Sequence, residues 1–334
     1  MGATLTMGTL LGEIGKQLAQ RWVAALVLPG VLYLAVVLAA WHLGHTHLFD
    51  TGRLTAAFDH WVAAPEVNTT AGLMLILIVV LVAAGAVGLL VEGIGLLTER
   101  VWLAATWESW PSPLRRLAAR QVARRRRRWD AAAAAYQEER DRAARARSLA
   151  GLSHRQGLQP PTALTTPSAL AERRRRLVRI APKPPVQPTW MGDRMHAVTL
   201  TLDREFSLDL PSVWPYLWLT LPDATRTEMT ATREALGRAA RLAAWGLLYL
   251  AVGVLWWPSA VIGVLVYGTA WRRARDAVDG YALLMEAAAR LHTREVADQL
   301  GLQTGAILNR QTGWALTCLV QGRSDLIPLT DDAV

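Results

Sequence analysis

Residues 71–91 read AGLMLILIVVLVAAGAVGLLV, twenty-one consecutive positions without a charged or hydrogen-bonding side chain. A helix of about 20 apolar residues matches a hydrocarbon core about 30 Å thick. A chain carrying this run is expected to place it in lipid. Two further stretches, 22–49 and 242–271, also lack Asp, Glu, Lys and Arg. Fifteen Trp against three Phe point the same way, because the amphipathic indole favours the membrane–water boundary. Trp22 and Trp41 bracket the first stretch, Trp102, Trp107 and Trp110 follow the second, and Trp256, Trp257 and Trp271 mark the middle and end of the third.

Basic residues orient these stretches, since short cytoplasmic flanks are enriched in Lys and Arg. Lys16 and Arg21 precede the first, and Arg100, Arg115, Arg116 and Arg120 follow the second. The loop between them sets Arg53 against Asp50, Asp59 and Glu66, so it is expected outside. The third stretch is basic at both ends: Arg226, Arg233, Arg238 and Arg241 precede it, and Arg272, Arg273 and Arg275 follow it. Both flanks are therefore expected in the cytoplasm, with the chain crossing twice and turning at 256–259 around Pro258, which cannot donate to a helix backbone. The rival is one long, proline-kinked span that leaves the C-terminus outside.

The expected fold class is all-α: two transmembrane helical hairpins with a helical cytoplasmic domain made by the central loop and the C-terminal tail. The boundaries are an amphipathic interfacial helix over 1–21, spans over 22–43 and 71–97 joined by an external loop over 44–70, and a basic helix with Pro/Gly-rich linkers over 98–190. A helical unit over 191–241, short spans over 242–257 and 258–271, and a helical tail over 272–334 complete the chain. Residues 98–241 hold 26 of the 36 basic residues against 14 acids, so the whole net charge of +9 originates there. Thirty-four Arg, only two Lys and long Ala tracts fit a high-GC bacterial genome and a plasma-membrane location. The single Cys318 excludes an internal disulfide.

Within the cytoplasmic part, residues 114–150 are rich in helix-forming Ala and Arg, and Val122, Trp129, Tyr136 and Ala143 recur every seven residues. That stripe is wide enough to seat one partner helix. Residues 151–168 and 181–188 read as linkers. Met195, Val198, Leu202 and Phe206 predict a helix, Asp209 and Asp223 are expected as N-caps of the next two, and Pro211 falls early in its helix. An apolar face from Val278 to Leu300, ended by Gly301, and a shorter helix over 304–321 are expected to pack on the 192–221 unit.

Three segments, LLGEIGKQLAQRWVAALVLPGVLYLAVV, GDRMHAVTLTLDREFSLDLPSVWPYLWLTLPD and GYALLMEAAARLHTREVADQLGL, resemble an uncharacterised actinomycete family of multi-pass integral membrane proteins. The resemblance covers most of the chain outside the Arg- and Pro-rich middle. It implies class and source and carries no activity.

Candidate sites are few. His42, His45 and His47, near Asp50 and His60, have the chemistry of a zinc site, although an interfacial His-rich loop mouth without fixed geometry is the simpler explanation. Glu92 is the one carboxylate in the apolar surroundings of the second span and marks either an ion path or, with Ala84, Gly85 and Gly88, a close helix contact. Arg124, Arg125, Arg126, Arg127 and Arg128, with Arg173, Arg174, Arg175 and Arg176, suit an anionic lipid surface better than nucleic acid, since no base-reading element accompanies them. Trp214, Tyr216 and Trp218 are candidate contacts for a protein partner. No GxSxG, GxxxxGK[ST], HExxH or GxGxxG motif is present, so neither a catalytic centre nor a cofactor is expected. The leading expectation is a non-enzymatic membrane scaffold or signalling partner, compatible with a homo-oligomer. The alternative is an oligomeric ion channel or permeabilising effector gated by the cytoplasmic domain.

Overall fold

The computed structural model describes residues 28–44, 52, 69–155, 167–302 and 308–327, and its regular elements are all helical. The N-terminal amphipathic segment, the start of the first span at Trp22, the outer loop with His45, His47, Asp50 and His60, and most of the 151–168 linker lie outside those residues. The helices are α1 (Leu28–Leu43), α2 (Thr70–Leu103), α3 (Ser112–Arg155), α4 (Pro167–Ile180), α5 (Trp190–Phe206), α6 (Leu210–Thr220), α7 (Asp223–Val252), α8 (Trp257–Gln299) and α9 (Arg310–Val320). Two of them, α2 and α7, are long and apolar enough to cross a membrane, while α1 is apolar but shorter. The chain divides into two compact units: Met1–Glu99 with Ala235–Ala274, and Arg100–Glu234 with Arg275–Val334.

In the first unit α2 has one packed seam and an otherwise bare surface. Ala84, Gly88, Val91, Gly95 and Thr98 are buried at alternating spacings of four and three, which is one helix face. Val91 packs on Ala244 and Leu248 of α7, with Tyr33, Val87, Ile94 and Trp245 around them. The remaining faces expose Leu75, Ile78, Val82, Leu89 and Leu96, each more than half exposed. Only 17% of the most apolar stretch of α2 is buried.

The 242–271 stretch folds as an antiparallel hairpin of α7 and α8. A Cβ on Gly246 would lie 2.9 Å from Tyr267 N, and one on Gly263 would lie 2.8 Å from Gly246 O. The two backbones therefore touch where neither has a side chain. The turn sits at 253–256, three residues before its expected place, because Pro258 opens α8 instead of occupying the turn. A missing N–H is harmless in a first helical turn, where backbone donors have no intrahelical partner anyway. Ser259, fully buried, donates its hydroxyl to Tyr249 O at 2.8 Å and ties the second helix to the first.

The second unit has a conventional aliphatic core. Val198 and Leu202 of α5, Leu210, Val213 and Leu217 of α6, Ala282, Ala289 and Val296 of α8, and Leu316 of α9 form one buried cluster. Leu221, Met229 and Ala288 form a second, bordered by Trp214, Trp218 and Tyr281. At Gly301 (φ +79°) the chain leaves α8: Leu302 N donates to Ala297 O and Gly301 N to Asp298 O, the paired bonds of a Schellman cap, and Leu302 then packs on the core. Asp209 stands at the expected N-cap position of α6 but makes no side-chain bond to the helix backbone, and Asp223 lies inside its helix instead of capping it. The Asp209 carboxylate accepts from Ser212 Oγ and Gln321 Nε2, which joins α6 to α9. Asp223 is the first residue of its helix, and its carboxylate takes Arg226 at 2.5 Å.

Helix α3 presents a fuller seam than the seven-residue recurrence suggested. Ala118, Val122, Arg125, Trp129, Ala132, Tyr136, Glu139 and Ala143 are all buried or half-buried, at alternating spacings of four and three. Helix α4 packs along this seam.

Candidate functional site

Two polar constellations stand out, one inside the second unit and one on its surface. The inner one is built around the segment 181–189, APKPPVQPT, whose four prolines have no N–H to offer. Its carbonyls take donors from other elements. Trp129 Nε1 donates to Ala181 O (3.1 Å), Trp107 Nε1 to Val186 O (3.2 Å), and Arg125 Nη1 to Gln187 O (2.6 Å). Arg125 Nη2 also donates to Ile180 O at 2.7 Å, at the C-terminal end of α4, where a cation meets the negative pole of the helix. Trp190 Nε1 caps the same end through Val178 O.

Asp193, in the first turn of α5, completes the node. Its Oδ2 lies 2.6 Å from Arg125 Nη1, and its Oδ1 accepts the backbone N–H groups of Val186 and Gln187 at 2.9 and 2.8 Å. The Arg125 and Asp193 side chains are 11% and 3% exposed. Burial pushes the Asp193 carboxyl above its ordinary range, opposed by the Gln187 amide, the Arg125 charge and the Val186 amide. Burial likewise pulls Arg125 down against the attraction of Asp193. Both burial effects favour neutral forms, whereas contact at 2.6 Å and the four further hydrogen bonds favour the ion pair. Beside it Arg275 stacks on the Trp190 ring at 4.1 Å, and Thr189, the N-cap of α5, donates to Trp102 O and accepts from Gly192 N.

The outer constellation is the arginine surface. The run 124–128 divides: Arg125 belongs to the buried node, whereas Arg124, Arg126, Arg127 and Arg128 are exposed. On α4, Arg173 is half-buried and Arg174 exposed, while Arg175 and Arg176 share Glu172 at 3.2 and 3.1 Å. Those two guanidiniums hold the Glu172 carboxyl below its usual range, Arg176 contributing most.

Trp214 and Trp218, with ring centroids 6.2 Å apart, pack against the core and are half-buried. Tyr216 turns outward at 39% exposure beside Leu219 at 75%. Glu92 pairs with Arg241 at 3.6 Å. Gly88 is buried in the α2 seam, whereas a Cβ on Gly85 would meet open space. His42, in the last turn of α1, is exposed, and His45 and His47 lie outside the described residues. Among the described residues no group of three His, Cys, Asp or Glu is arranged to hold a metal. An open groove of about 470 Å³ lined by Thr106, Trp107, Glu108, Gln187 and His196 borders the proline segment. Compared with family models, curated proteins and solved structures, the chain matches none.

Proposed function

We propose that the chain is a non-enzymatic, multi-pass bacterial membrane protein whose second unit is a cytoplasmic docking module for a protein partner. The observation that supports membrane residence is the bare apolar surface of α2. Leaving Leu75, Ile78, Val82, Leu89 and Leu96 in water would forfeit about 1.5–3 kcal/mol for each side chain that lipid can cover. The α7–α8 hairpin supports a double crossing, with both termini and residues 98–241 on the cytoplasmic side. The self-contained core of the second unit, with Tyr216 and Leu219 exposed on α6, supports a docking role.

Two experiments test this reading on the full chain. Urea- or carbonate-washed membranes are expected to retain the protein, and reporters fused after Val334 and within 151–168 are expected to be cytoplasmic; an external signal after Val334 overturns the double crossing. A photo-crosslinking residue at Tyr216 or Leu219 is expected to give one discrete adduct in cells, and buried Leu217 none. Equal labelling at all three sites, or none at any, sinks the docking role.

The alternative is an oligomeric ion channel or permeabilising effector gated by the cytoplasmic domain, with Glu92 or the glycine-rich α2 lining a pore. The pairing of Glu92 with Arg241 at 3.6 Å supports a helix-joining role for that carboxylate.

A further inference from the structure

The two arginine runs differ in what neutralises them. On α4, Glu172 answers Arg175 and Arg176, and the three arginines without an ion pair among the described residues, Arg173, Arg174 and Arg179, fall on different faces of the helix. In the second half of α3, residues 130–155, five Arg face four acids, and Arg142 pairs with both Glu138 and Glu139. Residues 112–129 hold eight Arg and no acid. Asp193 takes one of them, Arg125. The other seven are exposed and form no ion pair among the described residues.

Geometry selects four of the seven. Arg116, Arg120, Arg124 and Arg127 follow at spacings of four, four and three, so they share one face of α3, turned away from the seam that carries Ala118, Val122 and Arg125. Leu114 and Leu117, 51% and 59% exposed, stand in the first turns of the same helix. Only residues 104–111 separate this half-helix from the end of α2, a tether of at most about 30 Å when fully extended.

We infer that the first half of α3 is a binding surface for anionic lipid headgroups, and that the arginines of α4 are not part of it. This rests on the membrane reading above and deepens it. Guanidinium forks match phosphate oxygens two at a time, which any phosphate polyanion would satisfy. Exposed Leu117, which flanks that arginine face, favours the bilayer, since acyl chains give it an apolar partner and a nucleic-acid backbone does not. The tether favours it too, because a surface held this near to a spanning helix meets headgroups first.

The test uses the full chain, with Cys318→Ser and a fluorophore on Ala123→Cys, at an exposed position among the four arginines, or on Ala171→Cys of α4. The protein is reconstituted into phosphatidylcholine vesicles carrying a headgroup-spin-labelled lipid quencher, with or without phosphatidylglycerol. At low salt, quenching at 123 is expected to rise at least about threefold with phosphatidylglycerol, and most of the rise to vanish near 1 M salt, where the Debye length is about 3 Å. Quenching at 171 is expected to stay flat, and the quadruple Arg→Gln variant at 116, 120, 124 and 127 to remove the response at 123. An equal rise at both labels, or none at 123 in vesicles that carry the protein, overturns the inference and leaves the membrane reading standing. Failure of the chain to float with any vesicle sinks that reading itself. An emission change at 123 with duplex DNA but not with anionic vesicles assigns the face to nucleic acid and also overturns the inference.

Discussion

Arg125 of α3 and Asp193 of α5 meet at 2.6 Å, and through them one buried pair joins two helices, the end of a third and a proline-rich segment that cannot satisfy its own carbonyls. Removing one partner leaves the other charge buried and unpaired, which costs about 3–5 kcal/mol. Arg125→Ala is therefore expected to unfold the second unit well before the wild type in a thermal or denaturant scan. Arg124→Ala and Arg126→Ala, one residue away and exposed, are expected within about 0.5 kcal/mol of wild type. Replacing both partners with apolar residues (Arg125→Met with Asp193→Leu) is expected to cost less than Arg125→Ala alone. Three neighbouring alanine variants of equal stability would remove the structural role of the pair.

That node shows how far residue order alone reaches. The apolar runs, the helical class and the Val122/Trp129 repeat are legible because each is a periodic pattern along one segment. Arg125 stands in a run of five arginines that reads as surface charge, although the repeat places position 125 on the same seam, three residues after Val122. Periodicity locates a residue on a face but does not name its partner, and Asp193 lies 68 positions away with no local mark of its own. The proline segment read as a linker for the same reason, since its three outside donors come from distant tryptophans and an arginine. The turn at 253–256 was displaced because Pro258 serves equally well as a breaker and as an opener of a helix.

Gly263 and Gly246 allow α7 and α8 to touch through their backbones. A methyl group at 263 would sit 2.7 Å from Leu250 N and 2.8 Å from Gly246 O. Forced overpacking costs about 1–3 kcal/mol, so Gly263→Ala is expected to lower the unfolding midpoint of the detergent-solubilised protein. Gly268→Ala, on the same helix with nothing within 4 Å, is expected to be neutral or to stabilise by up to about 1 kcal/mol. Matching losses at the two positions would mean that the hairpin is not this close.

Glu205 and Arg290 set a pH dependence of known sign. The Arg290 guanidinium takes Glu205 at 2.6 Å and Glu286 at 3.1 Å. Its hydrogen bond above all, with its charge and that of Lys183, holds the Glu205 carboxyl below its usual 4.5 against the opposing effect of burial. A carboxyl lowered by folding adds stability that is complete above its unfolded value and is lost as pH falls through the folded one. The stability gap between wild type and Glu205→Gln is thus expected to be open at pH 6–7 and to close below about pH 4. Because the carboxylate is exposed, salt is expected to narrow the gap at every pH. A gap that widens on acidification contradicts the pairing.

Glu92 and Arg241 lie 3.6 Å apart on α2 and α7, each about half exposed, beside Gly95, where a Cβ would stand 3.4 Å from Arg241 Cα. The helices approach closely at this level, and a charge on each faces the other. A pair this exposed contributes about 0–1 kcal/mol in water, and a lipid environment raises the penalty for leaving either charge alone. Glu92→Gln and Arg241→Gln are each expected to destabilise the purified protein, and the double variant to lose less than the sum of the two. The exchange Glu92→Arg with Arg241→Glu is expected to recover most of the loss. Reconstituted vesicles separate this role from conduction: a helix-joining pair leaves ion flux at the empty-vesicle level in wild type and variants alike. A wild-type flux that falls on Glu92→Gln, with stability unchanged, would make that carboxylate part of a pore.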